Sequence, residues 1–142
     1  MFLLDTDTVI FSLKGHPAVR VNLQRHVHYP MKISVITFME LYYGAFKSQQ
    51  PAGNMAKIKM LEQATEIVPV GMETAELFGT LKAQLENKGE RLDDFDLILA
   101  ACALAHNLTM VTNNTGHFKR IADLKLANWC EYPSNEKGDR FI

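Results

Sequence analysis

Cysteine is scarce in this chain. Only two occur in 142 residues, Cys102 and Cys130. Neither belongs to a CxxC pair, so neither a disulfide framework nor a zinc site is expected, and a reducing cytoplasm is the expected setting. No apolar run approaches the roughly 20 residues of a membrane-spanning helix. The N-terminal MFLLD turns acidic without a basic leader, so no signal peptide is expected and the protein should be soluble. Neither sign of charge is in excess: the formal net charge is −1. A general nucleic-acid coat, which needs a broad basic surface, is therefore disfavoured. An acidic pocket and a modest basic rim can still cancel in the total, and Lys14, Arg20, Arg25, Lys47, Lys119, Arg120 and Lys125 are available for such a rim. There is no GxxxxGK[ST] loop and no G-x-S-x-G elbow, which argues against a P-loop enzyme or an α/β-hydrolase. No repeat, low-complexity run or linker divides the chain.

What is present is apolar residues, 47% of the total, enough for one compact core. Their pattern predicts alternating strands and helices. Residues 2–4 read as a buried strand running into Asp5, and Asp5 or Thr6 caps a helix that Gly15 and Pro17 end. Residues 18–27 follow as a helix. Residues 32–36 (KISVI) read as a strand, with Thr37 capping the next helix. Pro51 opens a further helix. Residues 66–70 read as a short strand whose Pro69 signals an edge or an early end. Residues 72–87 and 92–107 read as helices, the second apolar on nearly all sides. Residues 108–112 read as a strand, FKRIA as a short helix, and LKLANWCEY as holding a last strand. The expectation is one α/β domain over residues 1–132 with a mainly parallel central sheet flanked by helices, and a polar tail over residues 133–142.

In such sheets ligands bind at the carboxyl ends of the strands. Asp5 and Asn114 fall at or just past such ends. Glu40 and Asp96 fall in helix starts. Each sits beside a run apolar enough to be core, and carboxylates are rarely buried unless paired or bound to metal. Several converging on one point would suit a hard divalent cation, which prefers oxygen ligands. Metal-assisted phosphodiester hydrolysis is the leading expectation. Glu40 also has a purely structural reading, as the N3 member of a capping box with Thr37.

These segments resemble a known family. LLDTDTVI, ISVITFMELYYGAFKSQ, LDDFDLILAACALAHNLTMVTNNTGHFKRI and LANW, in that order, resemble the PIN-domain ribonucleases, and among them the VapC toxins of bacterial type II toxin–antitoxin modules. The resemblance reaches to about Trp129. It implies a PIN fold and a cluster of acids holding Mg²⁺ or Mn²⁺. Asp5, Glu40 and Asp96 match the catalytic, metal-holding acids. Asn114 lies in the T-x-(D/N) loop, and Thr6 and Thr112 are placed to donate hydroxyls to the carboxylates. The activity implied is endoribonuclease, with a metal-activated water cutting the RNA backbone. The implied partners are a VapB-like antitoxin lying across the site and a second copy of the chain. For the dimer contact Phe38, Leu41, Tyr42 and Phe46 are candidates, although core packing accounts for them equally.

The chain also departs from the family pattern. Many relatives carry an acid just before the Phe of the TNN loop, where this chain has His117. His117 either contacts RNA phosphate or a water, or caps the short helix. Lys119 and Arg120 are further substrate-binding candidates. Asp94 reads as a cap or as support for Asp96, since residues two apart on a helix do not face each other. Asp7 either adds charge to the pocket or faces solvent. The remaining histidines are expected on surface faces. The alternative function is a catalytically weakened PIN-fold module that binds RNA or regulates.

Overall fold

The computed structural model describes residues 1–134. The chain runs β1 (Phe2–Leu4), α1 (Thr6–Leu13), α2 (Pro17–Arg25), β2 (Lys32–Ser34), α3 (Val35–Lys47), α4 (Pro51–Ala64), β3 (Glu66–Val68) and α5 (Met72–Asn87). It continues with α6 (Asp94–Ala105), β4 (Thr109–Val111), α7 (Thr115–Phe118) and β5 (Leu126–Ala127). The strands form one sheet in the order β3-β2-β1-β4-β5, every pairing parallel. The expected architecture holds, and β3 lies at an edge, where Pro69 stops it.

Period-two alternation builds a core on each face of the sheet. Leu3 and Met110 face one way and pack with Leu85, Leu97, Leu99 and Phe118. Leu4, Ile33 and Val111 face the other way and pack with Val9, Val19, Phe38, Leu41, Ile58 and Trp129. In register, Leu4 pairs with Ile33 on one side and Val111 on the other. α6 is buried over Leu97 and the run Leu99–Ala103. Its apolar sequence on all sides is explained by a helix wedged between the sheet and α5.

The structure corrects several local expectations. β2 stops at Ser34, whose hydroxyl accepts from Ile36 N–H at 3.1 Å and so starts α3 three residues before Thr37. The β-branched run Val35-Ile36-Thr37 is helical because Ile36 and Thr37 are buried there. Glu40 thus lies well inside α3, and its capping-box reading falls. The short helix expected at FKRIA forms earlier, over Thr115–Phe118, where Phe118 is the buried anchor. Phe38 and Leu41 are core, whereas Phe46 is 64% exposed, so the four suggested dimer residues do not share one surface. His26 is not a free surface residue: its ring stacks on Trp129 at 5.0 Å and meets Phe2 edge-on at 4.8 Å. The polar tail expected at residues 133–142 falls almost wholly outside the described residues.

Asn22 fastens the segment that follows β5. Its buried side-chain amide donates to the carbonyls of Ala18, Trp129 and Glu131 at 3.0, 3.2 and 2.9 Å. Removing it leaves those carbonyls short of a donor. Asn22→Ala is expected to cost about 1–3 kcal/mol, read as a lower urea midpoint with an unchanged m-value.

Candidate metal centre at the carboxyl edge of the sheet

Asp5 follows β1 and is only 7% exposed. Its Oδ1 accepts from Thr8 N–H at 2.8 Å, which caps α1, and the Thr112 hydroxyl bonds the same carboxylate. Burial nevertheless pushes its pKa up, the bonds from Thr112 and Thr8 oppose the shift, and the charge of Asp7 adds to it. Asp7 is exposed, so it faces solvent and still feeds the field at Asp5.

Glu40 approaches from α3. The Thr6 hydroxyl donates to Glu40 Oε1 at 2.6 Å and lies 3.1 Å from the Thr37 hydroxyl. The first turn of α1 and the middle of α3 are thereby tied together through the expected support residue Thr6.

Asp96 enters on the first turn of α6, half-buried. Its pKa is raised to about 6, first by burial and then by the charges of Asp93, Glu40 and Asp5, with His117 opposing. The structure therefore brings Asp5, Glu40 and Asp96 into one electrostatic field, from three elements far apart in sequence. None of the three forms an ion pair with Lys or Arg among the described residues.

Asp94 does not take the supporting role that the sequence offered it. Asp94, the first residue of α6, is exposed and pairs with Lys82 at 3.0 Å, so it supports α5 and α6 rather than Asp96. Asp93, not singled out from the sequence, is the carboxylate that acts most strongly on Asp96, and as the N-cap residue it makes no side-chain capping bond. The signal was the LDDFD cluster itself. Which Asp faces inward depends on where α6 starts, and three acids among four residues do not fix that.

The TNN loop completes the edge. Thr112, buried, accepts from Asn114 N–H at 2.9 Å, and the Asn114 amide lies 2.9 Å from His117 Nδ1. Arg120 donates to the carbonyl of Arg91 at 2.9 Å, which pins the segment before α6. Lys119 is exposed at the end of α7.

The donor set is oxygen-only and is paired with no Lys or Arg among the described residues, which fits a hard divalent cation. The side chains do not close round one point as they stand. Among the described residues no three His, Cys, Asp or Glu groups are gathered tightly enough to hold an ion. Asp5 is bonded to Thr8 and Glu40 to Thr6, so gathering them round an ion requires those bonds to adjust.

This crowding has a pH signature. Folded Asp96 titrates above an unfolded aspartate, so its protonated form favours folding. That contribution is fully present below the ordinary aspartate value and is lost as pH rises through about 6. Without added metal, Asp96→Asn is expected to raise Tm near neutral pH by roughly 2–4 °C and to have little effect at about pH 4. Added Mg²⁺ should raise Tm of the wild type and not of D96N. Scanning calorimetry at the two pH values, with and without Mg²⁺, checks this.

Comparison with known proteins shows the family. The PIN domain model matches residues 2–124. The tRNA(fMet)-specific endonuclease VapC of Shigella flexneri is 37% identical over 131 residues, covering 90% of this chain and 97% of that protein. Ribonuclease VapC2 of Rickettsia felis is 34% identical, covering 91% and 98%. Among solved structures, VapBC2 from Rickettsia felis bound to a promoter DNA fragment superposes with a TM-score of 0.84 at 34% identity, covering 90% of this chain and 98% of that one. DNA-bound VapBC from Salmonella typhimurium gives 0.84 at 35% identity, covering 91% and 98%. Three acids on separate elements at the carboxyl edge of a five-stranded parallel sheet thus stand in a chain that, over nearly all its length, belongs to the PIN-domain family, among its VapC ribonucleases.

Proposed function

We propose that this protein is a metal-dependent endoribonuclease and the toxin of a VapBC-type toxin–antitoxin pair. The observation that carries the reading is the convergence of Asp5, Glu40 and Asp96 with no ion pair to Lys or Arg among the described residues. These three would hold Mg²⁺ or Mn²⁺. The ion, when bound, would neutralise phosphate charge and make water a better nucleophile. The protein's own residues supply the rest. Thr8 N–H and the Thr112 hydroxyl fix the Asp5 carboxylate. Thr6 holds Glu40, and Glu40 would accept a proton from the attacking water. α6 presents Asp96 at the edge where the strands end.

A VapB-like antitoxin is the expected partner, since the solved relatives are VapBC complexes. The substrate is RNA. One relative is named as specific for tRNA(fMet), which makes that tRNA the first to test. A second copy of this chain would have the exposed stripe Val35, Met39, Tyr43 and Phe46 of α3 to bind. Among the described residues no helix is long and apolar enough to cross a membrane. We place the protein in the cytoplasm, with its RNA.

Antitoxin-free protein incubated with tRNA(fMet) and total RNA in Mg²⁺ is expected to give discrete fragments. Asp5→Ala and Asp96→Ala should each slow cleavage by about 10²–10³-fold, and EDTA should abolish it. Absence of cleavage with both Mg²⁺ and Mn²⁺ by the folded protein would overturn the reading. Cleavage that survived both substitutions would show that the site is elsewhere.

A further inference from the structure

We infer that His117 touches the substrate: its Nε2–H, aimed by Asn114, donates a hydrogen bond to a phosphate oxygen of the RNA strand held at the Asp5–Glu40–Asp96 edge. The inference rests on the nuclease reading above and adds a residue to it.

A hydrogen-bonded run leads outward from the buried acid. The Thr112 hydroxyl bonds Asp5 and accepts from Asn114 N–H at 2.9 Å, and the Asn114 side chain meets His117 at 2.9 Å. The loop is braced from its other side, where Asn128 donates to Asn113 Oδ1 at 3.2 Å. His117 therefore stands at the solvent end of a fixed chain that begins at the acidic site. The ring lies within electrostatic reach of Asp96.

The chemistry of the pair sets the direction. An amide N–H can only donate, so with the Asn114 Nδ2 facing it the imidazole Nδ1 accepts. The proton of the neutral ring then resides on Nε2, the far edge, which the exposed side chain leaves open. Asn114 is also at the N-cap of α7, where Asn ordinarily caps the helix, yet it makes no side-chain capping bond. It orients the imidazole instead. His117 has no comparable packing role, because Phe118 is the buried residue of α7 and backbone bonds close its C-terminal end. A donor has no use toward a cation. It suits a non-bridging phosphate oxygen, on which charge accumulates as the backbone is cut.

The test uses the full chain labelled with ¹⁵N-histidine, without metal. Long-range ¹H–¹⁵N spectra are expected to show His117 as the Nε2–H tautomer and to show its Nε2 signal shifting when a short RNA oligonucleotide is added. Asn114→Asp should reverse the tautomer. In Mg²⁺, His117→Ala should lower kcat roughly 10–100-fold with KM nearly unchanged, a smaller loss than for a fully enclosed donor. His117→Gln, whose amide N–H lies near the position of Nε2, should recover most of the rate. His117→Asn, whose amide falls near Nδ1, should not, and N114D should resemble H117A. An Nε2 signal indifferent to RNA, an unchanged kcat in H117A, or a rate gain in N114D or H117E would each overturn the inference. If the Nε2 signal responds while the wild type cleaves nothing, the contact stands and the nuclease reading fails. If Asp96-dependent cleavage persists while the Nε2 signal is silent, the nuclease reading stands and the role of His117 fails.

Discussion

Asp5 is the point where the sheet, the first helix and the acidic edge are joined. Its N–H continues the ladder by donating to Val111 O at 3.0 Å, its carbonyl accepts from Val9 N–H at 3.1 Å, and its carboxylate caps the helix through Thr8. Thr8 closes the arrangement by donating its hydroxyl to Val111 O at 3.2 Å. One residue thus ends β1, begins α1 and is locked to β4. Its carboxylate is held in a nearly dry place because two backbone hydrogen bonds hold the main chain there. The cost of burying that charge is borne by local hydrogen bonds, and the remainder appears as a raised pKa.

The other acids converge from elements that the sheet order makes neighbours. β1 lies between β2 and β4, so the helix that follows β2 and the loop that follows β4 both open beside Asp5. α6 reaches the same edge because its apolar body is buried against the sheet, which leaves its acidic first turn at the rim. Hydrophobic packing thereby assembles a site that electrostatics alone would push apart. The tension is visible at Asp96, whose acidity is weakened by burial and by its three acidic neighbours.

Much of this was legible in the sequence, for physical reasons. Continuous apolar runs mark buried parallel strands, and Asp5 and Asn114 stand where two of them end. Asp96 stood out because it abuts the most apolar helix in the chain. Other features were not legible. A run such as Val35-Ile36-Thr37 suits a strand as well as a buried helix, so the cap at Ser34 was invisible, and with it the true depth of Glu40 in α3. Among Asp93, Asp94 and Asp96, a shift of one residue in the helix start rotates each acid by about 100°, and composition cannot choose. The stacking of His26 on Trp129 joins residues about a hundred positions apart, and no local pattern announces it.

The strands are only two or three residues long. A strand that short has no spare rungs. Deleting one residue from Phe2–Leu4 would exchange the faces served by Leu3 and Leu4 and turn Asp5 away from the rim. The sheet consequently works as a ruler with no margin, and changes of length can accumulate only where the chain is off duty, as between α2 and β2 or between α5 and α6. Insertions and deletions among functional descendants of this chain should be confined to those segments, while the spacing from Phe2 to Thr8 and from Thr109 to His117 stays fixed.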